Sequence, residues 1–260
     1  MTTWSFGGTA LTTFGKVTLI NDYLDMPQRR GENQVIPFRH GSLPVAKYYS
    51  ERKMVFGIAV IAASATALET SMDTMRKLFA VNTQQTLSST REDSSVRTAQ
   101  ATVDMPLQVE RVSDKIARVI VEFTVASAFF RLSTAIADNT TTINANPKAM
   151  TVTNPGTIEE RDATIILTGP LSNTVITNST NGCVLTYTGT IASPRVVTIS
   201  TNSTGEYVAT NDLGTNVIGN ITHSGASALM VFNTGDNTLS IADATHTTGT
   251  VKVTFSAPYL

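Results

Sequence analysis

Residues 54–61 read Met-Val-Phe-Gly-Ile-Ala-Val-Ile, and a few residues later the apolar spacing turns helical. That junction restricts the fold more than any other stretch. Met54, Phe56, Ile58 and Val60 alternate with Val55, Gly57, Ala59 and Ile61, a period of two that marks a strand. Both sets are apolar or small, so both faces are expected to be covered. A helix is expected near 67–80, because Leu68, Met72, Met75 and Phe79 fall on one face. Thr66-Ala67-Leu68-Glu69 has the form of a capping box, and Asp73 and Lys77 stand four apart on the opposite face, where they can pair. Ahead of the strand, Ile36-Pro37-Phe38-Arg39-His40-Gly41 reads as a tight polar corner. Pro37 fixes its own φ and biases Ile36 toward extended backbone, and Gly41 can take the positive φ that closes such a turn.

Around this unit the chain is less regular. Residues 1–34 hold short extended pieces near 16–20 and 23–24, punctuated by Gly7-Gly8, Gly15 and Met26-Pro27, and Arg29-Arg30 reads as a solvated turn. Residues 84–104 are rich in Thr, Ser and Arg and fit either hairpin arms or a long exposed loop. A second strong strand is expected over 117–132, with Val119, Val121, Phe123 and Val125 on one face and Arg118, Glu122 and Thr124 on the other. Strands flanking a single helix point to an α+β first domain of split-barrel type, residues 1–136.

Composition then shifts. Residues 137–155 are Asn- and Thr-rich with two prolines and read as a linker or long connecting loop. Beyond residue 150 only Arg161, Arg195 and Lys252 remain of the basic residues, while threonine, whose branched Cβ suits a pleated half-exposed surface, dominates. Strands are expected at 163–168, 174–177, 183–191, 196–200, 206–209, 229–232, 238–241 and 250–255. Asn181-Gly182, Thr204-Gly205, Gly235-Asp236-Asn237 and Thr248-Gly249 supply hairpin turns. Short antiparallel strands at this spacing imply a jelly-roll sandwich over 156–260, so the chain as a whole is expected to be mainly β.

The chemistry these residues offer is thin. Formal net charge is −1, which provides no basic field for nucleic acid or anionic lipid, and charged residues are only 15% of the chain. The single cysteine, Cys183, excludes a disulfide framework and sits in an apolar strand, where an inert buried thiol is expected. No apolar run reaches the ~20 residues of a membrane span, and the N-terminus lacks the pattern of a secretory signal. His40, His223 and His246 have no metal-ligand spacing, and no nucleotide or hydrolase fingerprint occurs. Glu159-Glu160 reads as a solvated turn, since glycosidase chemistry needs two carboxylates opposed across a cleft. The reading is therefore a non-enzyme without cofactor or metal. Tyr187, Tyr207 and Tyr259 are the aromatics through which a sugar-binding sandwich would contact saccharide, which makes a carbohydrate-binding adhesion module the alternative.

Several runs resemble the distal tail protein family of tailed bacteriophages. They are Phe6-Gly7-Gly8, Phe14-Gly15-Lys16-Val17, the 36–41 corner followed by Tyr48-Tyr49-Ser50-Glu51-Arg52-Lys53, and, later, Asn154-Pro155-Gly156-Thr157, residues 163–169 and residues 182–189. Phe38 and His40 stand where the family has Gly and Asp. The resemblance implies a split-barrel domain whose copies join in a hexameric ring, with a galectin-like or carbohydrate-module-like sandwich projecting from it. That ring sits at the virion tail tip, stacks on the tail tube protein, holds tip or receptor-binding proteins, and lets DNA pass without specific binding. Such a protein is made in the host cytoplasm. The ring contacts are expected at Ile36, Pro37, Phe38, Arg39, His40, Gly41, Arg52 and Lys53, with residues 84–104 as a further candidate.

Overall fold

The computed structural model describes every residue except 1, 21–25, 36–39, 41, 46, 106, 138, 203–204, 226–228 and 246–247. The chain divides into two compact units, residues 1–133 and residues 134–259. It is mostly β, with several antiparallel sheets and one α-helix among the described residues, and no described sheet closes into a barrel.

The first unit is built on one antiparallel sheet. Its strand order is Thr9–Ala10, Thr3–Phe6, Gln85–Thr90, Val96–Val103, Ile116–Val125, Arg52–Ile61 and Lys16–Leu19. Gln108–Arg111 pairs with the leading half of the Ile116–Val125 strand, beyond the point where Val96–Val103 leaves it. The central pair, Arg52–Ile61 with Ile116–Val125, is zipped over its full length, from Ile61 opposite Ile116 to Arg52 opposite Val125. This register puts Met54, Phe56, Ile58 and Val60 beside Phe123, Val121, Val119 and Ala117, all buried. The other face is not covered as expected. Val55, Gly57 and Ala59 are half-exposed and Ile61 is 73% exposed.

The helix, Ala65–Phe79, covers the inner face with Leu68, Met72, Met75 and Phe79. Its cap is Ser64, not Thr66: the Ser64 Oγ accepts a hydrogen bond from the Ala67 amide at 3.2 Å, so the expected capping box is out of frame by two residues. Asp73 pairs with Arg76 at 2.9 Å rather than with Lys77. Under the helix, Phe123 is the hub of an aromatic cluster, with ring centroids 4.8 Å from Phe6, 5.4 Å from Phe56 and 5.7 Å from Phe79. Burying each such ring contributes about 1.5–3 kcal/mol before edge-to-face attraction is counted. Residues 84–104 resolve as the hairpin Gln85–Thr90 and Val96–Val103 inside this sheet, with Leu87, Ala99 and Ala101 buried. The stretch 117–132 is two strands, Ile116–Val125 and Phe130–Leu132.

The second unit is a sandwich of two five-stranded antiparallel sheets. One runs Asn139–Thr142, Thr250–Thr254, Thr164–Thr168, Val196–Thr201, Tyr207–Asn211; the other runs Lys148–Asn154, Gly235–Ala242, Val175–Asn178, Cys183–Tyr187, Ile221–Gly225. Alternate residues such as Ile165, Leu167, Val251, Val253, Leu185 and Ile241 fill the space between them, and Cys183 is buried there as a free thiol. Residues 137–155 are no linker: Asn139–Thr142 and Lys148–Asn154 each form an outer strand, and Ile143 between them is fully buried. Gly235, Asp236 and Asn237 begin a strand instead of turning, and the expected 183–191 strand breaks into Cys183–Tyr187 and Thr190–Ile191.

Residues 229–232 make a single β-bridge, Phe232 to Glu160, where a strand was expected. Asparagines, three of them buried and Asn181 half-buried, take over the work of a ladder there. Asn178 and Asn181 each donate to the Val231 carbonyl at 2.8 Å, Asn154 donates to the Phe232 carbonyl at 3.1 Å, and Asn237 donates to the Asn233 carbonyl at 2.8 Å while its Oδ1 accepts from the Asn233 amide. A buried backbone group needs a partner, and amide side chains supply both donor and acceptor where the backbone is too irregular for strand pairing.

Candidate functional site

The uncovered face of the first unit is built from rows that cross its outer strands. Lys16, Ala59, Arg118 and Glu110 form one row; Thr18, Gly57, Ile120 and Gln108 form the next. The small residues Gly57 and Ala59 leave a trough of about 430 Å³, walled by Thr18 and Ile20 on one side and by Gln108, Glu110 and Ile120 on the other. The Ile20 side chain lies over Gly57, 3.6 Å from where a Cβ would stand. Gly15 lets the wall strand approach: at φ +152° its backbone lies so close that a Cβ would sit 2.1 Å from the Ala59 carbonyl oxygen. Arg118 and Glu110, both in its lining, pair at 3.7 Å, and farther along the same two central strands Lys53 pairs with Glu122 at 3.0 Å. The hydrogen bond and charge of Glu122 hold Lys53 above its usual range.

Two strand margins border this face. Lys16–Leu19 ends the sheet on one side, and Gln108–Arg111, exposed at all four positions, ends it on the other. Among the described residues neither has an outer partner, so each presents unpaired backbone donors and acceptors.

Between the Lys16–Leu19 and Arg52–Ile61 strands, described residues pair in two short antiparallel ladders that form a hairpin arm. Arg29 pairs with Tyr49 and Arg30 with Tyr48; farther out Gln34 pairs with Leu43 and Val35 with Ser42. The arm's root is fixed. Tyr49 meets the Phe129 ring edge-on at 5.8 Å, the Arg29 guanidinium lies over the Tyr49 ring at 5.2 Å and donates to its hydroxyl, and the Ser50 amide donates to the Gln28 carbonyl. Beyond the root the described side chains are exposed, among them Leu43, Val45 and Tyr48, the last at 63%.

The residues singled out from sequence scatter relative to this surface. Ile36, Pro37, Phe38, Arg39 and Gly41 lie outside the described residues; His40 is described and exposed. Arg52 is 5% exposed and its guanidinium faces the Phe130 ring at 5.9 Å, so it packs into the interior. Lys53 is exposed and tied to Glu122, outside the trough's lining. The tyrosines do not form a saccharide platform: Tyr187 is 4% exposed in the sandwich core, and Tyr207 stacks on His223 at 4.4 Å while its hydroxyl accepts from the Met230 amide. Burial pushes the Tyr207 phenol up to about 12. Tyr259 is half-buried. Glu159 is exposed and pairs with Arg161, whereas Glu160 is fully buried and its carboxylate accepts from the Asp162 amide, so the pair is not a solvated turn. Among the described residues no cluster of three or more His, Cys, Asp or Glu could hold a metal, and no helix is long and apolar enough to cross a membrane.

Sequence reasoning missed Ile20, Leu43, Val45, Tyr48 and Ile120. A signal for Ile120 was present: it stands between Arg118 and Glu122 on the strand's polar face, an apolar residue among charges.

Residues 11–125 match the family model for the phage tail protein RIFT-related domain. The chain has the fold of the Dit protein (gp 19.1) of phage SPP1, described as a paradigm of the hub adsorption apparatus in Gram-positive infecting phages, at a TM-score of 0.69 and 12% identity over 98% of this chain and 99% of that one. Chains of the phage P2 baseplate in its activated conformation, with Ca and with Sr, align over the full length at 9% and 8% identity, with TM-scores of 0.44 and 0.43, too low to define a fold. No curated protein sequence matches the chain. The likeness to the distal tail protein family read from the sequence is borne out by the domain match and the whole-chain fold.

Proposed function

We propose, from a chain whose first unit carries a phage tail RIFT-related domain and whose whole fold is that of a Dit protein, that it is a structural component of the phage tail tip. Copies join through their first units into a closed ring, expected to be hexameric, which links the tail tube to the tip or receptor-binding proteins. The observation that carries the reading is the pair of open margins on one sheet, Lys16–Leu19 and Gln108–Arg111. Two different margins on opposite sides make a head-to-tail contact, which generates a ring where its rotation closes and a filament where it does not. Each junction then removes two exposed edges at once, which is how β proteins avoid open-ended aggregation. A stable contact needs about 800 Å² from each partner, more than one strand edge supplies, so neighbouring surface must contribute.

The test is light scattering and negative-stain imaging of the full chain, alone and mixed with its tail-tube neighbour. Closed rings of uniform size are expected. A lone 27.8 kDa species at high concentration in both samples refutes the reading.

A further inference from the structure

We propose that the Tyr207–His223 stack is an acid-released clasp. Protonation of His223 parts the two rings and opens the sandwich to water between its Tyr207–Asn211 and Ile221–Gly225 strands, ahead of global unfolding.

Tyr207–Asn211 ends one sheet of the sandwich and Ile221–Gly225 ends the other, and among the described residues no outer strand pairs with either. Residues 212–220 join the two strands covalently, and there the Val217 amide donates to the Ala209 carbonyl and the Thr188 amide to the Asn220 carbonyl. Away from that link the join is made by side chains. The Tyr207 and His223 rings lie 4.4 Å apart and within 10° of parallel, and the Tyr207 hydroxyl accepts from the Met230 amide at 2.6 Å. One side chain thus ties two sheet margins to the irregular 229–232 segment.

The clasp is closed on a base that has no proton partner. His223 is half-buried, yet both its ring nitrogens are shut from solvent and neither has a hydrogen bond. A neutral imidazole leaves one donor and one acceptor unmatched there, whereas an imidazolium leaves two donors and a charge. The groups around it do not answer that charge. Leu185 stands opposite His223 in the ladder, with Cys183 and Tyr187 on either side of it along the same strand. Asp162, whose field reaches Tyr207, accepts from the Thr201 hydroxyl at 3.2 Å. Glu206 is exposed and accepts from the Asn202 side chain at 3.3 Å. Burial keeps the Tyr207 phenol neutral through the acid range, and the pull of its ring face on a cation leaves both in-plane N–H groups without an acceptor. Once the rings part, both nitrogens meet water and the proton binds at the ordinary value. The closed clasp is therefore intact above 6.5 and is eroded as pH falls toward its own lower pKa.

Cys183 reports the opening, because its thiol is buried and close enough to Tyr207 to act on the phenol. The full chain is treated with dithiodipyridine at several values between about pH 7.5 and about pH 5, either side of the ordinary imidazole pKa. Each trapping rate is divided by that of the guanidinium-unfolded chain at the same pH, which cancels the titration of the thiol itself. The normalised rate is expected to climb at least about threefold across that range, with a ceiling of about tenfold per pH unit. His223→Phe keeps a flat ring and should trap at one rate throughout. Tyr207→Phe keeps the stack but frees the Met230 amide, so its rate should be raised at neutral pH and still climb in acid. In the wild type, hydrogen exchange referred to the unfolded chain should quicken in acid at Met230 and at residues 221–225, and hold steady at residues 164–168 and 250–254. A flat wild-type trapping profile overturns the proposal, as does an equal climb in His223→Phe. Exchange that quickens evenly over both sheets overturns it too, and decides the matter without any variant if His223→Phe does not fold.

Discussion

The two units solve the same problem in opposite ways. Residues 1–133 concentrate aromatic rings under one helix and leave a half-exposed trough of small apolar residues, flanked by charges, on the other side of their sheet. Residues 134–259 enclose their core between two sheets, and where the backbone is irregular they bring in asparagine side chains to finish its hydrogen bonding. The second unit shuts its apolar residues between two sheets, whereas the first leaves a half-exposed trough on one sheet face. That contrast is why the proposed assembly is assigned to the first unit, because surface left apolar on a folded domain is surface that gains by being covered.

The contrast can be broken most forcefully at its aromatic hub. Phe123→Ala removes the ring that Phe6, Phe56 and Phe79 share and should cost about 3–5 kcal/mol, read as a lowered melting transition. Hydrogen exchange should rise across residues 52–61 and 116–125 and stay unchanged in the sandwich. If the sandwich amides open equally, the units do not divide the labour as described. A smaller effect is expected from Asn237→Ala. It strips the donor from the Asn233 and Gly235 carbonyls and the acceptor from the Asn233 amide, at about 1–3 kcal/mol for a buried group left unmatched. Exchange should then increase around residues 229–237 first, and a uniform loss over both sheets would contradict a local role.

The smallest effect is one of pH. Both ring nitrogens of His223 are shut from solvent without a hydrogen-bond partner, and burial holds its pKa below the ordinary 6.5. The unfolded chain therefore takes up the proton first as pH falls. The histidine's contribution is fully present above 6.5, and is lost progressively as pH drops from there toward the lower folded value. The melting temperature of the sandwich should decline over that window. His223→Phe, which keeps a flat ring against Tyr207, should flatten the decline; an unchanged slope would assign the acid sensitivity elsewhere.

Much of this was legible in the letters, for physical reasons that also explain the failures. The inward residues of the Arg52–Ile61 strand, the buried helix face and the alternation at Val251 and Val253 follow from periodicity alone, since one solvent-excluded face imposes the pattern directly. What sits opposite a face cannot be read that way. Val55, Gly57, Ala59 and Ile61 look like a second buried face because they are apolar, yet among the described residues the first three are only half-covered and Ile61 is exposed. The Asn- and Thr-rich stretch 137–155 looked like a connection because those residues favour turns, while its outer-strand position needs only Ile143, Met150 and Val152 to point inward. Arg52 looked like surface because arginine usually is; only the fold reveals Phe130 in front of it. The trough and arm are non-local by nature, since they join residues 16–20, 43–48, 57–59 and 108–120, which no sequence window contains.

Gly15 touches no trough residue with a side chain, having none, and it sits at the start of the strand that forms one wall. Any carbon added there must displace the Ala59 carbonyl or push the Lys16–Leu19 segment off its neighbour. The breadth of the trough is thus governed from outside it, by a missing methyl. A substitution at Gly15 would reshape that hollow without altering a single atom of its lining.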